Sequence, residues 1–298
     1  MTDNTKHKLL NLKQSHKTVV ITIVFFAVYL IFKQYFSTVK ESLDVFTKNG
    51  LLSYVLTYSI IGIPIYIGTY LINTKLNVLS NLGLNYNPVK PFLITLLFSL
   101  PMFLGGILFF EFNQDISIPN LVAGTIIISF VEELFYRGFL FGQLFKYTKL
   151  GFISAIFLGA IIFATGHLYQ SQDTFELIGI FLVTFMGAIL FAWLYVEWNY
   201  NLWIPIFLHS LMNLTWHLFE MDETALGGIL PNIFRGITII IAIVFTIIYK
   251  KKRNKELIIT KDRLIKKRCR TTCITICLVL AYLEIPTEFP LVRFLLLT

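Results

Sequence analysis

The chain has 298 residues, 56% of them apolar and only 14% charged, with a formal net charge of +8 and a mean hydropathy of +0.73. A soluble globular domain carries about 25% charged residues, so this composition argues against that class and for an all-α, polytopic transmembrane helical bundle. The positive charge is local: eleven Lys/Arg against Glu256 and Asp262 lie between Lys250 and Arg270, leaving about −1 for the rest, which speaks for a juxtamembrane tail meeting anionic lipids and against a nucleic-acid face.

Residues 1–17 form a polar N-terminal tail carrying Lys6, Lys8, Lys13 and Lys17. The apolar run from Thr18 to Phe36 is long enough to span and is followed by no small-residue cleavage site, so it reads as an uncleaved first helix. Further spans are predicted at about 51–73, 90–110, 119–143, 150–169, 175–197, 202–219 and 232–249. That makes about eight spans in a transmembrane bundle over 18–249, with no internal repeat.

The connections alternate in charge. Lys75 and Lys90 flank one, Glu111 and Asp115 mark the next, and Lys146 and Lys149 the one after. Asp173 and Glu176 follow, and later Glu220, Asp222 and Glu223 precede the basic tail. This alternation predicts both termini in the cytoplasm. The tight turn Trp198-Asn199-Tyr200-Asn201 carries no cation of its own, and Trp193, Trp198 and Trp203 around it suit a membrane interface.

Residues 250–298 are read as a basic juxtamembrane tail with a short apolar C-terminal segment. Its Cys269, Cys273 and Cys277 have no second cluster to pair with and no fourth ligand for a zinc knuckle. Thr271 to Leu283 is apolar but is interrupted by Glu284 and Pro286, so it is short for a span.

Polar groups inside the spans carry the functional signal. Glu132, Glu133 and Arg137 lie in one apolar segment, where each charge at a helix centre costs roughly 2.5–3.5 kcal/mol. Glu133 and Arg137 are four apart and pair on one face; Glu132 is rotated about 100° away and stays available. Phe163-Ala164-Thr165-Gly166-His167 closes the next span, and His209 and Asn213 share a face at i and i+4. His217 extends that stripe beside an acidic loop and reads as an ordinary packing residue. Each set alone also fits polar glue between helices. Together they converge only inside a bundle, and they supply a base, two imidazoles and an amide donor, an inventory for amide hydrolysis. Glu132, His167 and His209 with one open position also suit a catalytic zinc. Two other classes use the same residues: a non-catalytic membrane scaffold, and a proton- or metal-coupled transporter.

The set Glu132-Glu133-x-x-x-Arg137, Phe163-x-x-x-His167 and His209-x-x-x-Asn213, in order on separate spans, resembles the CPBP family. That family comprises CAAX prenyl proteases of the second type and the related bacteriocin-processing or immunity proteins. The resemblance covers a core of about 90–220. It implies an intramembrane endopeptidase acting on a membrane-associated peptide or lipidated protein. Glu132 and His167 would activate water, His209 and Asn213 would bind the oxyanion, and Glu133 with Arg137 would be a structural ion pair. Family members are known with and without a divalent metal, and no His-Glu-x-x-His segment is present. The alternative within the resemblance is an immunity protein that keeps the cluster for assembly. A cell-membrane location follows, and the Ile/Phe/Lys/Asn-rich usage points to a bacterial source.

Overall fold

The computed structural model describes residues 3–265, with side chains from Ser15 onward. The described residues form helices and no strands. In chain order they are α1 (Asp3–Lys33), α2 (Phe36–Thr47), α3 (Gly50–Ile61), α4 (Ile63–Ile72), α5 (Val78–Leu82), α6 (Val89–Phe109) and α7 (Ile118–Tyr147). Then follow α8 (Phe152–Thr165), α9 (Thr174–Glu197), α10 (Trp203–Leu218), α11 (Ile229–Lys252) and the single turn α12 (Lys261–Leu264).

Six segments are long and apolar enough to cross a membrane: Ser15–Lys33, α6, α7, Phe152–Gln170, α9 and α11. A seventh is the pair α3 and α4, bent by 40° at Gly62. The break has local causes. Pro64 sits in the first turn of α4, where its missing N–H costs nothing. A Cβ at Gly62 would lie 2.6 Å from the Phe135 ring and 2.8 Å from the Tyr58 carbonyl, so only glycine lets α7 approach there. The seventh expected span, 202–219, is the 16-residue α10. Its length of roughly 24 Å falls short of a hydrocarbon core of about 30 Å, so the expected eight is corrected to seven at most among the described residues.

The connections gather at two ends of the bundle. At one end the Leu202 N–H donates to Gly83 O (3.0 Å), Trp203 Nε1 to Leu84 O (3.2 Å) and the Tyr86 hydroxyl to Asn199 O (2.7 Å). At the other the Asn113 N–H donates to Leu218 O (2.9 Å) and the Ala225 N–H to Gln170 Oε1 (2.7 Å). The first end holds the basic connections and the second the acidic ones. Gly83 matters most here. Its φ of +93° and a built Cβ only 2.1 Å from Tyr200 O leave room for no other residue, and its carbonyl fixes where α10 starts.

The core lies around the middle of α7, where Phe135, Phe139, Leu140 and Phe141 are fully buried. Phe26 and Tyr29 of α1 meet Tyr136 and Phe135 edge-on, with ring centroids 5.3 Å and 4.9 Å apart. The basic tail begins later than expected. Lys250 is the buried last turn of α11, paired with the buried Glu197 at the end of α9. The expected tail features from Lys266 onward, including Cys269, Cys273, Cys277 and Thr271–Leu283, lie outside the described residues.

Candidate active site

The helix α7 is not a uniform α-helix. Two stretches, Ala123–Ile127 and Glu133–Phe141, are wound as π-helix, with the five-residue Ile128–Glu132 α-helical between them. π turns hold more residues than α turns and recur at functional sites. The step from Glu132 to Glu133 falls where the winding changes.

Both carboxylates reach one imidazole. His209 Nδ1 lies 2.9 Å from Glu133 Oε1, and its Nε2 lies 3.8 Å from Glu132 Oε2. The same Glu133 Oε1 is 3.2 Å from the Arg137 guanidinium, so the paired Glu133–Arg137 brace expected from spacing is present. It is not closed, however: Glu133 is shared with His209, a partner that spacing on one helix could not reveal. Glu133 and Arg137 are both fully buried, whereas the Glu132 side chain keeps 20% of its surface. Glu132 is thus the more accessible carboxylate of the two.

Aromatic rings hold the charged groups in place. Phe191 of α9 stacks on His209, with centroids 5.1 Å apart and planes 19° from parallel. Phe191 also faces the Arg137 guanidinium at 5.4 Å, and Phe163 of α8 lies beneath it at 4.3 Å. Cation–π contacts of this kind strengthen when desolvated, which helps offset the cost of burying Arg137.

The other two expected residues come from short elements. The rod α8 has 14 residues, roughly 21 Å, so it stops inside a bilayer core. His167 sits just beyond its last turn and returns Nδ1 to the Phe163 carbonyl at 2.7 Å, an acceptor left open by the helix end. That leaves Nε2 free. Glu132 and His209 are both within electrostatic reach of His167. Asn213, one turn beyond His209 on α10, donates Nδ2 to Ser129 Oγ at 3.3 Å. Its side chain is turned to that hydroxyl rather than to Glu132. His217 packs against Gly124 and takes no part in the cluster.

Two contributors escaped the sequence reading. Ser129 is fully buried one helical turn before Glu133, and a hydroxyl four residues from a carboxylate in a span was a usable signal. Phe191 had none, because one phenylalanine among 29 carries no mark of its neighbour.

A cavity of about 790 Å³ opens beside these groups, between α9, α10 and α11. His167, His209 and Asn213 stand on its wall. Met186, Gly187, Leu190 and Ile239 make its lining mainly apolar, while Asn232 and Arg235 stand at the α11 side. Glu132 meets this cavity through His209.

The free Nε2 atoms of His167 and His209, each backed by an acceptor on the other ring nitrogen, have the chemistry of ligands. Yet among the described residues no three His, Cys, Asp or Glu side chains come together as a metal-holding group. The arrangement does not fit a bound ion as it stands, and no step below is routed through one.

A helical membrane bundle with a glutamate, two histidines and an asparagine beside an apolar cavity has the makings of an intramembrane hydrolase. Residues 114–215 match the family described as type II CAAX prenyl endopeptidase Rce1-like, a family of membrane-embedded peptidases, so this segment of the chain is similar to that family. The matched segment spans nearly all of α7 to α10 and every residue of the cluster. No curated protein and no solved structure matches the chain.

Proposed function

We propose that Glu132 is the general base of an intramembrane endopeptidase whose substrate is a membrane-associated peptide or lipidated protein. The observation that carries this reading is the gathering of His167, His209 and Asn213 on the wall of one apolar cavity, with Glu132 Oε2 3.8 Å from His209 Nε2. Glu132 takes a proton from water as the oxygen attacks the scissile carbonyl, with His167 Nε2 positioning that water. The negative charge on the carbonyl oxygen is met by Asn213 Nδ2–H and His209 Nε2–H. With Nδ1–H given to Glu133, His209 offers a second donor as the imidazolium, whose countercharge is at hand in Glu133 and Glu132. The carbon–nitrogen bond then breaks, and the leaving amine takes the proton that Glu132 received.

The apolar cavity supports a substrate that brings an apolar chain or lipid with it, because a soluble peptide would leave that lining unfilled. The alternating loop charges support a cell-membrane protein with both termini in the cytoplasm, and the residue usage supports a bacterial source. A non-catalytic assembly role is favoured only by the fully buried Glu133–Arg137–His209 group, which a scaffold would also keep.

The test compares the membrane peptides of a deletion strain complemented with wild type or with Glu132→Ala. A peptide cleaved only in the wild-type strain is expected; normal processing by purified Glu132→Ala protein would sink the reading. Chelator treatment of the purified wild type, followed by metal re-addition, separates metal-dependent from metal-independent water activation.

A further inference from the structure

After α11 the chain does not leave the bundle. It reverses at Asn254, whose φ is +52°, and returns along the end of α9. There the Glu197 carboxylate, 1% exposed, accepts the Ile258 N–H on Oε2 and the Ile259 N–H on Oε1, each at 2.9 Å, while pairing with Lys250. Ile258 and Ile259 pack onto the main core, and α12 comes to rest against α8. Residues 253–265 are therefore a strap pinned by a buried carboxylate rather than a loose tail.

The pinning decides what faces outward. Lys251, Lys252, Arg253, Lys255, Lys261 and Arg263 are all exposed, against only Glu256 and Asp262 in the same stretch. Next to them the apolar Leu264 and Ile265 are also exposed, at 36% and 65%. The basic end further includes exposed Lys75 and Lys149 and, beside them, the apolar Leu76 and Leu79. A cationic surface for a soluble polyanion has no use for aliphatic side chains set among its charges. A surface at the boundary between headgroups and acyl chains needs both.

We infer that the end of α11 and the strap that follows it, residues 251–265, form a preformed binding platform for anionic lipid headgroups, built outside residues 114–215 and held in register by Glu197. Six exposed cations against two carboxylates make the platform selective for acidic over zwitterionic lipid.

The experiment uses the full chain in vesicles of equal phosphatidylglycerol and phosphatidylcholine, extracted gently and weighed with its bound lipid by native mass spectrometry. Wild type is expected to retain several-fold more phosphatidylglycerol, and a variant with the six strap cations changed to glutamine to retain both lipids equally. Equal retention by wild type, or an unchanged preference in the variant, overturns the inference. So does binding of heparin through the same six cations without lipid preference, which would mark a site for a soluble polyanion. Glu197→Gln/Lys250→Met keeps the six cations and removes the buried pair together, so it avoids an unpaired charge. A fall in lipid preference with new protease cleavage at residues 253–256 is expected of it. A preference that survives such cleavage would mean a free tail suffices and would overturn the platform.

Discussion

Glu133 holds His209. The imidazole Nδ1 is 2.9 Å from a carboxylate oxygen that also faces Arg137 at 3.2 Å, and Glu133 and Arg137 are both fully buried. Removing Glu133 therefore has two separable consequences. Glu133→Ala leaves the Arg137 cation buried without its carboxylate, and a loss of about 3–5 kcal/mol is expected, read as a lower melting temperature in detergent. Glu133→Leu/Arg137→Met replaces the pair by apolar groups of similar size and should regain most of that stability. Its cleavage should stay lost, because His209 no longer has an acceptor to orient it. Recovery of activity together with stability would show that the pair is a brace and nothing more.

Glu132 should behave in the opposite way. Its side chain is partly open and its one near contact, His209 Nε2, is at 3.8 Å. Glu132→Gln is expected to melt within a degree or two of wild type while cleavage falls by about 10²–10⁴, the usual contribution of a general base. His167→Ala should lose activity similarly and still accumulate in the membrane. Thermal melts and single-turnover cleavage on the same preparations decide this.

Asn213 and Ser129 form a graded pair. Asn213→Ala removes an oxyanion donor, and kcat should fall by about 10²–10³ with KM little changed. Ser129→Ala removes only the hydroxyl that holds the Asn213 amide at 3.3 Å, so a smaller loss of kcat is expected. Against an Asn213→Ala background Ser129→Ala should cost nothing more. Additive losses in this double-mutant cycle would refute a positioning role.

The cavity can be filled without harming the fold. Gly187 lines it, and a Cβ built there meets no atom within 4 Å. Gly187→Ala should stabilise α9 by about 0.5–1 kcal/mol, since glycine is costly inside a helix. Gly187→Phe should also fold, yet it occupies cavity space and is expected to raise KM for a lipidated substrate more than for a short soluble peptide. Equal effects on both substrates would place the lipid elsewhere.

The glycine at position 83 and the two short rods α8 and α10 explain how residues expected at different depths come level. Straight spans would set His167 towards one face of the membrane and His209 towards the other. Instead α8 stops after 14 residues and α10 begins beneath the Gly83 carbonyl, so both histidines reach the middle of α7. Local sequence could not show this. Hydropathy reports that a segment is apolar, and it does not report where the rod inside that segment starts or ends.

What the amino-acid sequence determined by itself is considerable: a helical membrane bundle, a charged segment in α7, the i,i+4 pairing of Glu133 with Arg137, and the identity of the four polar residues that gather. These follow from composition and from the fixed period of a helix, which are properties of neighbours along the chain. Only the tertiary structure decided that α7 changes its winding at Glu133, that Glu133 is shared with His209, that Asn213 rests on Ser129, and that Lys250 is buried against Glu197 rather than left in a tail. The last three join groups 76, 84 and 53 residues apart. Helical period carries no information across that distance; packing of one rod against another supplies it.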